Sequence, residues 1–215
     1  MKLSLKEILG YRIETYDQVT GKIKDFLFDD EYLGIRYADA DLGFNSADRR
    51  VLIPQIFLKE TEWASQNFKV ALSKEGLATC PPLDKIQPVS RMYEEELNKH
   101  YRITNYWARN YSSPNNEADI MTHIDSPDQK FSSAPKHIRE KDMDTNLRSF
   151  REIIGYDILT SDGHLGCVDD LLIETDDWGI ISIIVDTSKW QTWDKRVIIA
   201  STWIDEVSYV DRQIK

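Results

Sequence analysis

The side chains in this sequence that could carry chemistry are mainly carboxylates, gathered in short clusters. They lie at positions 29–31, at 39 and 41, at 169–170 and at 176–177. Carboxylate oxygens are the ligands that hard cations such as calcium and magnesium prefer. None of the clusters has the spacing of an EF-hand loop, and aspartate is common in turns because its side chain accepts backbone hydrogen bonds. We therefore expect solvated acidic turns, with a cation-binding protein or an enzyme that uses these turns as an alternative.

Nucleophilic and soft-metal chemistry has little basis in the sequence. No nucleophile elbow, phosphate-binding glycine loop or HExxH motif is present. The histidines are scattered and do not predict a zinc site; they are His100, His123, His137 and His164. Cys80 and Cys167 have no CxxC spacing, so each is expected to be a free buried thiol, with a disulfide or a metal role as the alternative. The sequence thus predicts no catalytic residue, no cofactor and no bound metal.

Two tryptophans in one short loop, Trp190 and Trp193, are candidates for contact with a partner protein. Exposed tryptophan is a frequent anchor at protein interfaces. The alternative is that both side chains cap the end of a β-structure. Because no catalytic set accompanies them, the leading hypothesis is a non-enzymatic interaction or adaptor protein that binds another protein or itself.

The overall composition is that of an acidic globular protein. The chain has 215 residues, of which 30% are charged, with a net charge of −10 and a pI of about 4.9. This charge disfavours binding to nucleic acid and to anionic membranes, whose phosphates have the same sign. The apolar runs are far shorter than the roughly 20 residues that a membrane helix needs, and the first residues lack the apolar stretch of a signal peptide. We expect a cytoplasmic protein without membrane insertion, which leaves peripheral association with a membrane complex open.

The elements that must position these residues repeat within the chain. Residues 8–41 and 153–186 align without a gap at an offset of 145, with 12 identities in 34 positions, where chance gives about two or three. After a one-residue insertion, residues 50–53 align with 196–199. The aligned glycine and aspartate pairs are Gly10 and Gly155, Gly21 and Gly166, Asp25 and Asp170, Gly34 and Gly179, and Asp41 and Asp186. Since both copies keep these residues, we expect them to have structural rather than catalytic roles.

Each copy has the pattern of a small β-structure. Turn signals at 16–21 and 161–166, the second containing Asp-Gly, separate short runs of alternating or continuous apolar residues. Closely spaced short strands predict two small barrels, because closure removes exposed strand edges. Phe68 begins the predicted last strand of the first copy, and its counterpart would begin at Ile214. We expect the second copy to lack its closing strand, so that either its barrel is left open there or another segment or chain supplies the edge partner. Truncation of the sequence is the alternative.

These patterns divide the chain into four parts. A first barrel-like domain spans 1–75, and an extension at 76–107 contains a helix at about 90–101, which Ser90 caps and whose Tyr93, Leu97 and Tyr101 form an apolar face. A polar linker follows at 108–147. The second barrel-like domain, 148–215, has 7 basic and 13 acidic residues, a net charge of 7 − 13 = −6, and thus most of the negative charge.

The opening of each copy resembles a PRC-barrel domain. The resemblance rests on Ile8-Leu9-Gly10-Tyr11 followed by residues 21–30, and on Ile154-Gly155-Tyr156 followed by residues 166–173. The segments at 81–82, 89–95 and 148–152 are similar to those that follow the first barrel and precede the second in bacterial tandem members. The resemblance implies two PRC-type barrels, with a fold similar to the cytoplasmic domain of the photosynthetic reaction centre H subunit. It implies no catalytic residue, and an accessory of a photosynthetic or other electron-transfer complex is the alternative function.

Overall fold

The computed structural model describes residues 1–43, 49–62, 64–83, 89–105, 146–188 and 196–215. The first part of the chain contains β1 (Lys2–Ser4), α1 (Leu5–Ile8), β2 (Arg12–Glu14), β3 (Val19–Asp29), β4 (Gly34–Asp41), β5 (Arg50–Pro54), β6 (Leu58–Glu62), β7 (Asn67–Val70), α2 (Lys74–Ala78) and α3 (Arg91–Tyr101). The second contains β8 (Leu147–Ser149), α4 (Phe150–Ile153), β9 (Asp157–Thr160), β10 (Gly163–Glu174), β11 (Ile180–Asp186), β12 (Arg196–Ala200), β13 (Val207–Ser208) and β14 (Gln213–Ile214). One-turn 3-10 helices follow β5 and β12, at Gln55–Phe57 and Ser201–Trp203.

The two copies form two β-sheets with the same strand order. The first sheet has the order β5-β4-β3-β2-β7-β6, and the second has the order β12-β11-β10-β9-β14-β13. The mainly β architecture is therefore confirmed, and the aligned stretches of sequence form strands at equivalent places in the two sheets. The prediction of closed barrels is wrong, because each order has two ends, so the strand edges must be protected by other means.

The closing strand of the second sheet is present, contrary to the sequence-based expectation. Strand β14 pairs in parallel with β9, as β7 pairs in parallel with β2. The pairing covers two residues instead of three, which is why the apolar pattern is too short to recognise at the end of the sequence. Ile214 nevertheless fills the place of Phe68, and both side chains are buried.

The two sheets exchange strands. Strand β1, at the start of the chain, pairs with β10 of the second sheet, with Leu3 opposite Ile173. Strand β8, which precedes the second copy, pairs with β3 of the first sheet, with Ser149 opposite Leu27. The long strands β3 and β10 therefore each have one edge that is shared by two partners. One half of that edge pairs with a strand of the same copy, and the other half pairs with the short strand that precedes the other copy.

The turns between the long strands also meet. Gly34 and Gly179, which are equivalent in the repeat, form an antiparallel bridge. The backbone N–H of Ile35 donates to Trp178 O at 2.9 Å. The Trp178 side chain is buried, with its ring 5.8 Å from that of Phe68. Residues 1–83 and 146–215 accordingly form one compact unit, separate from 84–145, although the sequence pattern divides them into two domains.

Four of the repeated glycines occupy places where a side chain would be sterically unfavourable. Gly10 and Gly155 have φ values of +85° and +84°, which residues with a side chain rarely adopt. A Cβ atom on Gly21 would lie 2.5 Å from the carbonyl oxygen of Asp41, and one on Gly166 would clash with the equivalent carbonyl of β11. The backbones of neighbouring strands can approach this closely only where no side chain stands between them.

The predicted helix after the first sheet is confirmed as Arg91–Tyr101, with Ser90 as its N-cap. Of the predicted apolar face, Leu97 is fully buried. Glu94 is also fully buried, and its carboxylate pairs with the Arg91 guanidinium at 2.8 Å, so the buried side of the helix is partly polar. Most of the predicted linker lies outside the described residues. Among the described residues, no helix is both long and apolar enough to span a membrane.

Candidate interaction surface

Strands β5 and β12 are equivalent, apolar and placed at the end of their sheets. Each pairs antiparallel with one neighbour, β5 with β4 and β12 with β11. Valine and isoleucine favour this extended conformation because their branched side chains pack well on a pleated surface. The outer edge of such a strand exposes backbone donors and acceptors that can pair with another chain. The two edges can therefore be compared for what protects the outer backbone groups of each strand.

In the first sheet, residues 74–83 cover the edge, and we call them the covering segment. The backbone N–H of Leu83 donates to the carbonyl oxygen of Arg50 at 2.8 Å. The Arg49 guanidinium donates to the carbonyl oxygens of Ala78 and Cys80, at 2.6 and 2.8 Å. The fully buried side chains are Leu77 and Cys80 in the covering segment and Val51, Leu52 and Ile53 in β5.

In the second sheet, the equivalent apolar residues are exposed. Val197 is 38% exposed and Ile198 is 61% exposed, whereas their counterparts in β5 are fully buried. Trp203, in the 3-10 helix that follows, is 74% exposed. In the described part of the chain, β12 pairs with β11 alone. We refer to Val197, Ile198 and Trp203 as the β12 surface.

The surroundings of the β12 surface are acidic. The Arg196 guanidinium at the start of β12 lies 2.9 Å from a carboxylate oxygen of Asp169, which also pairs with Lys6. The nearest basic group on the strand is thus already engaged with the protein itself. With 13 acidic and 7 basic residues in 148–215, an apolar surface in this region lies in a negative field.

Trp190 and Trp193, the partner-contact candidates, lie outside the described residues, and their role stays a prediction. The exposed tryptophan in this region that sequence reasoning missed is Trp203. It aligns with Phe57 in the first copy. No sequence signal singled it out, because the aromatic character is the same at both positions; among the described residues, the bonds of residues 78–83 to the strand edge belong to the first sheet.

The repeated aspartates bind the two copies together, and Asp170 shows how. Its carboxylate accepts hydrogen bonds from the Ser4 hydroxyl, from the backbone N–H of Lys6 at 3.0 Å and from its neighbour Leu171 at 2.7 Å. Ser4 is also the N-cap of α1, where its oxygen accepts from the Glu7 N–H at 3.1 Å. The carboxylate therefore fixes the exchanged strand β1 and the start of α1 on the second sheet.

Asp25 makes the equivalent contacts in the first sheet. It accepts hydrogen bonds from the Ser149 hydroxyl, from the Arg151 N–H at 3.1 Å and from the Phe26 N–H at 2.8 Å. Burial raises the pKa of the Asp25 carboxyl above its ordinary value, and these three hydrogen bonds oppose the shift. We call the two sets of contacts the Asp25 clasp and the Asp170 clasp.

The acidic turns use their carboxylates within the protein. Asp29 accepts the N–H groups of the next turn and lies 3.7 Å from the Arg36 guanidinium, and Asp39 pairs with Arg50. Asp29, Asp39 and Asp170 are buried, so the expectation of solvated turns is wrong for these three. Arginine partners compensate the buried charge of Asp29 and Asp39, and hydrogen bonds satisfy Asp170.

Asp41 and Asp186, the last repeated pair, end equivalent strands. Each carboxylate accepts the backbone N–H two residues further on, at Gly43 (3.0 Å) and Ser188 (2.8 Å). Such a bond replaces a backbone turn contact and directs the chain out of the strand. The repeated aspartates therefore act as turn and strand acceptors wherever the structure describes them.

Within the described residues, one group combines three metal-ligating side chains: Asp157, His164 and Cys167. The His164 Nε2 atom and the Cys167 Sγ atom lie 3.0 and 3.4 Å from the same Asp157 oxygen, Oδ1. Sequence reasoning missed this group, although His164-x-x-Cys167 was a signal that could have found it. On a regular strand, residues three apart point to opposite faces. A bulge between His164 and Gly166 shifts the alternation by one, which puts the two side chains on one face.

Comparison with known families adds one finding. Residues 146–215 match the family model described as PRC-barrel domain. The matched stretch begins beside the exchanged strand β8 and ends beyond β14, so it contains every element of the second sheet except β1. No curated protein matches the chain.

Proposed function

We propose that this chain is a non-enzymatic protein-interaction module whose β12 surface binds an extended segment of a partner protein. The observation that carries the proposal is the difference between two equivalent strands. Leu52 is fully buried, whereas Ile198, its counterpart, is 61% exposed. An apolar strand edge of this kind is a template for strand addition, in which main-chain hydrogen bonds give affinity and side-chain contacts give specificity.

The first sheet indicates the chemistry of the partner segment. Its covering segment contains the fully buried Leu77 and donates the backbone N–H of Leu83 to the carbonyl oxygen of Arg50. A partner strand paired along the edge of β12 would place apolar side chains beside Val197 on one face of the sheet and beside Ile198 on the other, because neighbouring residues of a strand point to opposite faces. The net charge of −6 in residues 148–215 favours a segment flanked by lysine or arginine.

We also infer that the first copy is a PRC-type module, as the second is by its family match. The identical strand order, the exchanged strands and the two clasps support this inference. In this arrangement the two copies have different roles in structure and binding. The first copy completes the second sheet with β1, while its own edge is already covered, and the second copy offers the β12 surface.

A selection for binding peptides tests the proposed function on the full chain. A displayed library of random peptides is selected for binding to the wild-type protein. We expect enrichment of apolar sequences with basic flanks, and Ile198→Asp should weaken their binding at least about tenfold because a carboxylate must be desolvated at the contact. Affinities of individual peptides, measured by calorimetry, give the comparison.

The matched control is Val210→Asp, since Val210 is 95% exposed on the same copy, in the turn between β13 and β14. This variant should bind the selected peptides as the wild type does. Peptides that bind Ile198→Asp and wild type equally would place the contact elsewhere. A dimer in light scattering that Ile198→Asp converts to a monomer would also contradict the proposal, because β12 would then pair with a second copy.

A further inference from the structure

We propose that Asp157, His164 and Cys167 form a binding site for one zinc ion per chain. Their ligand atoms all lie within 4.8 Å of one another. Tetrahedral zinc, with bonds of about 2.0–2.3 Å, holds its ligand atoms about 3.3–3.8 Å apart. The distances of 3.0 Å and 3.4 Å from Asp157 Oδ1 to the other two atoms lie close to this range, so small side-chain rotations admit the ion.

The donor set selects the class of metal. A thiolate and an imidazole are ligands for zinc and other borderline or soft cations, whereas calcium and magnesium prefer oxygen alone. The three residues supply one sulfur, one nitrogen and one oxygen. This set leaves the fourth position of a tetrahedral ion for water or for a ligand from outside the chain.

The site is open on one side. Cys167 is buried, the His164 side chain is 20% exposed and the Asp157 side chain is 46% exposed. An ion can therefore enter from solvent past the carboxylate and reach the thiol last. The Cys167 thiol donates to the Asp157 carboxylate.

The repeat shows that the fold does not require these three residues. The same strand positions in the first copy hold Arg12, Val19 and Lys22. Arg12 pairs with Lys22 in the ladder, as Asp157 pairs with Cys167, so both copies build the same strands from different side chains. The three ligands of the second copy thus correspond to two cationic residues and a valine in the first copy. This difference indicates a site that is specific to the second copy, with one zinc ion per chain.

Zinc binding to the untagged full chain tests the proposal. Competition with a chromogenic zinc chelator should show one ion per chain. Cys167→Ser and His164→Asn should each lower the affinity at least about a hundredfold, because loss of a direct ligand exceeds the roughly 10–100-fold effect of losing an outer partner. Cobalt should give a thiolate charge-transfer band in the wild type, and Cys167→Ser should abolish it.

The controls are Cys80→Ser and His100→Asn, which change the same residue types outside the site and should bind zinc as the wild type does. Circular dichroism reports whether each variant is folded. If Cys167→Ser fails to fold, the zinc affinity of His164→Asn and the cobalt spectrum of the wild type still test the proposed site. Absence of zinc binding by the wild type, unchanged affinity in a folded ligand variant, or equal loss in Cys80→Ser would each overturn the proposal.

Discussion

Separate fragments of this chain are expected to fold only together. Residues 1–105 and residues 146–215, expressed apart, should each lack the strand that the other copy supplies. Leu3 from β1, Phe150 from α4 and Trp178 are all buried in the complete unit, and fully burying one such side chain contributes roughly 1.5–3 kcal/mol. Without these contacts neither fragment should show cooperative unfolding. After mixing, near-ultraviolet circular dichroism should return to the signal of the intact chain.

The affinity of the two fragments for each other measures the free energy that the exchanged strands and their buried side chains contribute. A Kd of about 1 µM or tighter, equivalent to about −8 kcal/mol, is expected from the buried side chains together with the two exchanged ladders. A fragment of residues 5–105 lacks β1 but keeps α1, and this matched comparison should bind much more weakly. Cooperative unfolding of 146–215 by itself, with no affinity for 1–105, would show that the exchanged strands are dispensable.

This expectation differs from the usual meaning of a family match. A match to residues 146–215 suggests a domain that is complete in itself. In the structure, β8 lies within that stretch but pairs with β3, and β1 comes from outside it to pair with β10. The stretch that shares a sequence pattern and the unit that buries a common core are therefore different. The first is 70 residues long (215 − 146 + 1), and the second also needs residues 1–83.

The sequence predicted most of the local structure because local signals determine it. Shared glycines, apolar alternation and serine caps gave the repeat, the strands and the helix at Arg91–Tyr101. The exchange could not be predicted, because β1 and β8 are three residues long and equivalent. Either strand would satisfy the apolar pattern of either sheet, and the choice depends on the path of the whole chain.

The candidate site was predictable only in part, for two physical reasons. Repeat positions such as Val51 and Val197 have the same residue, yet the first is fully buried and the second is 38% exposed. The covering segment that bonds to Arg49 and Arg50 beside the first strand is not part of the repeat. The group around His164 depends on a bulge, which reverses the face of every later residue in the strand. Neither feature has a reliable signature in a single sequence.

Replacement of Asp170 or Asp25 by alanine should lower the free energy of unfolding by about 3 kcal/mol each. Both carboxylates are buried and accept a hydroxyl and two backbone N–H groups, and each buried donor left without an acceptor costs about 1–3 kcal/mol. The double variant should lose about 6 kcal/mol, which matches the whole stability of many domains. Urea denaturation measures these differences, and a loss below about 1 kcal/mol in either single variant would mean that water replaces the clasp.

Asparagine at position 25 separates the hydrogen bonds from the charge. Its amide oxygen can accept the Phe26 and Arg151 N–H groups, so Asp25→Asn should cost much less than Asp25→Ala. Burial raises the pKa of Asp25 in the folded protein above its value in the unfolded chain. The folded state therefore binds the proton more tightly, and the wild type should lose stability relative to Asp25→Asn as the pH rises from about 3.8 through the raised pKa. Urea denaturation of both proteins across this range should show the difference, and its absence would mean that the carboxylate stays charged at no cost inside the clasp.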